Sequence, residues 1–110
     1  MLMKQTAEVA LEPVQPGIGI RWLLSEKDQA PNFAMRVIEI APGVRFEPHH
    51  HPYEHEIFVL EGMGELLSPE GVVGTMAPGA AILVPPDVPH GYRNTGDVTL
   101  KFICVIPLQS

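Results

Sequence analysis

The chain has 110 residues, of which 45% are hydrophobic and 18% charged, a balance too apolar for disorder and a length that suits one domain around one core. A formal net charge of −6 with no run of Lys or Arg argues against a nucleic-acid partner and against an anionic membrane surface. There is no stretch near the ~20 apolar residues that span a bilayer, no signal-peptide pattern in MLMKQTAEVALEPVQPG, and only Cys104 as a thiol, which together predict a cytoplasmic protein.

Twelve prolines and ten glycines punctuate the chain, which favours many short strands over a few long helices. Residues 1–16 read as an N-terminal arm interrupted by Pro13 and Pro16, and residues 17–110 as the domain proper. GIRWLLSE is the first predicted strand, with Trp22 and Leu24 on one face, and EKDQAPN is a polar loop. FAMRVIEIAPG is a strand closed by a Pro-Gly turn. Parity places Ala34, Arg36, Ile38 and Ile40 on one face, and Met35, Val37 and Glu39 on the other. VRFEPHHH leads into a histidine cluster, and HEIFVLEGMGELL is a strand with a break at Glu61-Gly62.

SPEG is a hairpin turn, VVGTM a short strand and APGA a second Pro-Gly turn. AILVPPDVPHGYRN starts as a strand that its prolines confine to an edge or an irregular path. NTGD turns the chain into the last strand, VTLKFICVIP. Roughly eight strands at such spacing predict an all-β sandwich or barrel. IFVL and FICVI alternate little and predict strands buried on both faces.

Four of the five histidines fall between His49 and His55. His49 and His51 share one face of an extended segment and can reach one ion, while His50 points the other way. His55 has the same parity, but a straight strand would carry it ~13 Å past His51, so the chain must bend near Pro52. His90, in the proline-stiffened PPDVPHG, is the fourth candidate. A histidine-rich loop alone is more often solvated surface, and His90 alone an ordinary turn residue. Neutral imidazole suits Mn, Fe, Co, Ni, Cu and Zn, and four such ligands leave two adjacent octahedral positions open.

Two segments resemble the paired motifs of the cupin superfamily. In the first, Gly43, VRFEP, His49-His50-His51, PYE, His55, EIFVLE and Gly62 follow the family spacing, with His55 where a glutamate is usual. Glu56 is the alternative ligand. Its strand parity is opposite to that of His55, so only one of the two points inward, and the spacing to Gly62 favours His55. In the second, Gly79, AAILV, Pro85-Pro86-Asp87, VP, His90, GYR and Asn94 match, with Asp87 replacing a glycine. Asp tolerates the left-handed conformation better than most residues.

APNFAMR, HPYEHEIFVLEG, HGYRN and FICVIP are similar to the small manganese-containing cupins with an all-histidine site. This resemblance implies a double-stranded β-helix, or jelly-roll barrel. It also implies one divalent transition metal per chain held by His49, His51, His55 and His90. Manganese is expected first, with Fe, Ni, Cu or Zn as the other candidates. The family likeness further implies a homodimer to which residues 1–16 contribute.

Strand parity extends the site to Ile57, Val59, Tyr92, Phe102 and Cys104 as pocket residues and to Arg36 as a charge that orients a carboxylate or peroxide. Alternatively Arg36 pairs with a surface acid, and Cys104 is inert core. Tyr53 and Phe46 read as rim or core packing. The chain contains no Ser-His-Asp arrangement, P-loop or dinucleotide fingerprint. Three functions remain open for a small-molecule substrate. The first expectation is an oxidoreductase, dioxygenase-like or peroxide-using. The second is a non-redox isomerase, lyase or sugar-processing enzyme, and the third a module that binds or senses a metal-bound metabolite. An apolar pocket favours the first.

Overall fold

The computed structural model describes residues 1–109. Ten strands form where the sequence predicts roughly eight: β1 (Glu12–Gln15), β2 (Ile18–Leu24), β3 (Phe33–Ile40), β4 (Arg45–His49), β5 (His55–Glu61), β6 (Gly64–Ser68), β7 (Gly71–Met76), β8 (Ala81–Val84), β9 (His90–Asn94) and β10 (Leu100–Pro107). The additional strands are β1, inside the predicted arm, and β9, inside the segment whose prolines obscure it. Two short 3-10 turns, Thr6–Glu8 and Glu26–Asp28, are the helical pieces among the described residues, and no helix there is long and apolar enough to cross a membrane. Ser25 caps the second turn: its hydroxyl accepts from the Lys27 amide, and Asp28 accepts from the Ser25 amide.

All pairings are antiparallel. Six strands lie in the order β1-β2-β3-β10-β5-β8 and four in the order β4-β9-β6-β7, and the two sheets face each other as a jelly roll. Residues 12–15 of the arm complete the edge of the larger sheet by pairing with β2, and Lys4 ties the start of the chain to Leu23 O and to Asp28. As expected from its prolines, β8 is an edge strand.

The core lies between the sheets. Ala34, Ile38 and Ile40 from β3, Ile57 and Val59 from β5 and Leu100, Phe102, Cys104 and Ile106 from β10 meet Tyr92 and Met76 from the opposite sheet. The expectation that IFVL and FICVI are buried on both faces is wrong for β5. His55, Ile57 and Val59 are buried while Glu56, Phe58 and Leu60 are exposed, so the strand alternates although both faces carry apolar side chains. In β10 the outward residues are half-buried. Parity in β3 places Ala34, Ile38 and Ile40 inside as predicted, but Val37, on the other face, is buried as well. Trp22 and Leu24 do not keep the predicted common parity, because a register irregularity falls between them.

Candidate metal centre

Two strand ends and one bend bring the histidines together. His49 ends β4 and His90 begins β9, and the two are register partners in the small sheet. This pairing requires the backbones to approach closely at Gly91, where a Cβ would collide with Phe46 O and stand 2.8 Å from Pro48 N. Between His51 and His55 the chain bends as the spacing demands, and β5 restarts at His55 in the larger sheet. Asp87 N donates to His51 O at 2.7 Å, so the second motif holds the first in place. Asp87 has φ of 64°, the left-handed conformation inferred from its place in the motif.

The imidazole nitrogens of His49, His51 and His90 lie within 4.8 Å of one another. His55 adjoins them, its ring centroid 4.9 Å from those of both His51 and His90. His55 and His90 are buried, with exposures of 2% and 3%, whereas His50 and Glu56 point outward into solvent. Parity therefore places His55, and not Glu56, inside the barrel.

The ring tautomers are prepared by the backbone. His90 Nδ1 faces Val88 O at 3.0 Å and His49 Nδ1 faces Glu47 O at 3.2 Å. A carbonyl only accepts, so Nδ1 carries the proton and Nε2 keeps its lone pair on each ring. Backbone orientation of this kind is how metal-ligating histidines are fixed. His90 Nε2 and His55 Nδ1 are buried without a hydrogen-bond partner, an arrangement that costs stability unless something binds there. Burial first, and then neighbouring positive charge from the other histidines and Arg36, lowers His51 to about 4 and His55 to about 3, and burial also lowers His90. The rings of His51, His55 and His90 are thus neutral near pH 7, as metal ligation requires. An all-imidazole donor set with two orphaned nitrogens fits a divalent transition metal.

Aromatic rings brace the imidazoles. Phe46 stacks on His49 with centroids 4.6 Å apart, and Tyr53 stacks on His51 at 5.1 Å. Their spacing in the motif suggests packing, and it takes the folded loop to show that they support ligand rings. Behind the histidines lie Ile57, Val59, Tyr92, Phe102 and Cys104, each at most 3% exposed, with the Tyr92 and Phe102 rings 4.8 Å apart. Burial raises both the Tyr92 hydroxyl and the Cys104 thiol above their usual ranges, so both stay protonated. Arg36 faces the same interior: its Nη2 donates to Cys104 Sγ at 3.1 Å, which rules out the alternative of a surface ion pair. Trp22, the register partner of Arg36 on β2, lies beside the guanidinium; strand parity alone does not reveal this neighbour.

Asn94, the last residue of the second motif, is a structural lock. Its Nδ2 donates to Ile40 O and Val98 O, both at 2.8 Å, and its Oδ1 accepts from Gly96 N at 2.9 Å. It thereby joins the ends of β3 and β9 to the loop before β10. A surface hollow of about 600 Å³, lined by Leu11, Pro13, Val14 and Gly19 beside β1, is remote from this chemistry and contains no histidine.

The cupin domain family model matches residues 36–106, which hold all the histidines and both motifs. The chain is a cupin. Across 109 residues this cupin is 34% identical to Protein SchB of Streptomyces halstedii, covering 94% of this chain and 78% of that one. Over 63 residues it is 32% identical to the polyketide synthase CurC of Streptomyces cyaneus, covering 56% of this chain and 40% of that one. The solved structure of the polyketide cyclase RemF from Streptomyces resistomycificus superposes with a TM-score of 0.90 and 32% identity, covering 99% of this chain and 80% of RemF.

Proposed function

We propose that this cupin is a metal-dependent, non-redox enzyme that cyclises a small polycarbonyl compound of the polyketide type. The observation that carries this reading is the likeness to RemF along nearly the whole chain, at an identity that exceeds a shared fold. The similarity to SchB and CurC supports the same chemical class. These relatives favour the non-redox alternative over the oxygenase expected from the four-histidine resemblance. An apolar pocket, taken from sequence as a sign of oxidative chemistry, serves a condensation equally well, since both exclude water.

His49, His51 and His90 would hold the ion, with His55 as the fourth ligand. A divalent cation bound there would supply a Lewis acid for a carbonyl oxygen. The all-neutral donor set leaves its charge undiminished by any carboxylate. Phe46 and Tyr53 keep the imidazole planes fixed, and the Val88 and Glu47 carbonyls retain the Nδ1 protons of His90 and His49. Tyr92, Phe102, Ile57 and Val59, buried and apolar beside the histidines, would be the wall that folds an apolar chain back on itself. A ring closure of this kind forms a carbon–carbon bond between an activated methylene and a carbonyl, releases water and consumes no oxidant.

The test is an anaerobic incubation of tag-free, metal-loaded protein with a linear aryl poly-β-ketone, followed by mass spectrometry. Loss of water from the substrate at the same rate with and without dioxygen is the expected result. A product that gains oxygen, or turnover that stops when dioxygen is removed, would overturn the reading.

A further inference from the structure

Four arginines occur in the chain, and three of them have a glutamate partner: Arg21 with Glu39 at 2.7 Å, Arg45 with Glu47 at 2.7 Å and Arg93 with Glu65 at 3.0 Å. Arg36 has none among the described residues. It sits mid-strand on β3, between β2 and β10, on the face that also carries buried Ala34 and Ile38. Its guanidinium lies 5.2 Å from the Trp22 ring centroid and donates from Nη2 to the Cys104 sulfur, a weak acceptor. Its Nε is buried with no partner. A fixed cation therefore stands in the barrel with a thiol and an indole face beside it, and no acidic partner among the described residues.

We propose that Arg36 is the binding site for an organic carboxylate, held by the guanidinium with the body of the ligand against Trp22 and the barrel interior. A guanidinium presents donors in a planar fork that fits two coplanar oxygens sharing one charge, and charge-assisted pairs of this kind are the strong hydrogen bonds of recognition. The orphaned Nε and the poorly matched Nη2 are the donors such an anion would satisfy. Apolar surroundings select an organic acid over a fully hydrated inorganic anion. This inference rests on the barrel interior being the ligand chamber, as the proposed function has it, and it adds that the substrate carries a carboxylate.

Trp22 is the only tryptophan and stands beside the guanidinium, so its fluorescence reports the site. The probes are phenylacetate and its neutral counterpart phenylacetamide, titrated at low salt into full-length protein stripped of metal by a chelator. Phenylacetate is expected to quench Trp22 saturably and to bind about 10- to 100-fold more tightly than the amide. Arg36→Gln should abolish that preference, and Arg36→Lys, which keeps the charge and loses the fork, should retain part of it. Equal affinity for the two probes in the wild type, or a preference that survives in Arg36→Gln, overturns the proposal. Should Arg36→Gln fail to fold, Cys104→Ala decides: the guanidinium keeps its charge and loses its thiol partner, so the preference must persist, and its loss overturns the proposal. Metal binding without a carboxylate preference would defeat this inference alone, and a preference in protein that binds no metal would defeat the metal reading alone.

Discussion

His49 and His90 are register partners across β4 and β9, with ring centroids 4.6 Å apart and each Nδ1 turned to a backbone carbonyl two residues earlier. Two segments about forty residues apart thus present matched Nε2 lone pairs to one space. Substituting either ring should remove metal, whereas His50, which faces solvent, should be dispensable. Elemental analysis of tag-free protein is expected to show a drop of about 10-fold or more in metal per chain for His90→Ala, and for His49→Ala, against no change for His50→Ala. Equal losses in all three variants would dissolve the proposed ligand set.

The same burial makes stability pH-dependent in metal-free protein. Folding lowers His51 to about 4 and His55 to about 3 from an ordinary value of 6.5. Between 6.5 and those values the unfolded chain binds more protons than the folded one. Stability is therefore full above that window and declines as pH falls through it. Calorimetry should show a lower Tm at about pH 5 than at about pH 7, with a shallower decline in His55→Gln. Added divalent metal should raise the Tm most at the higher pH, because protons compete for the same nitrogens. A Tm that rises on acidification would contradict the buried neutral state.

Asn94 makes three hydrogen bonds from a side chain only 2% exposed. Asn94→Ala leaves Ile40 O, Val98 O and Gly96 N without these partners. A loss of about 2–4 kcal/mol in urea unfolding is expected. A loss below about 0.5 kcal/mol would mean that water replaces the amide without cost.

Phe102 has no exposed surface and packs on Tyr92 at the base of the barrel. Phe102→Ala should cost about 3–5 kcal/mol and leave a cavity behind the histidines visible by crystallography. Metal content should stay at the wild-type level, which separates the packing beside the histidines from the proposed ligands. A collapsed site with no added volume would show that the wall is plastic.

Much of the candidate site was legible because its signals are local. The shared face of His49 and His51 and the parity that opposes His55 to Glu56 follow from backbone geometry within a few residues, while the place of His55 in the ligand set and a left-handed Asp87 follow from the resemblance to the cupin motifs. The strand β9 was not legible, because PPDVP precedes it and a proline-rich segment looks irregular until it emerges at His90. The alternation of β5 was hidden for a different reason: Phe58 and Leu60 are exposed apolar residues, and composition cannot tell an uncovered face from a buried one.

From residues alone came an all-strand domain, an inward set of imidazoles and an arginine of interior parity, since each depends on the two-residue period of a strand and on motif spacing. The tertiary structure decided what those groups meet: that His49 lies opposite His90, that Phe46 and Tyr53 brace the rings, and that Arg36 finds a thiol and an indole where its sister arginines find carboxylates. Such meetings depend on the order of strands in the sheets, which places residues far apart in the chain within bonding distance, and no local pattern encodes that order.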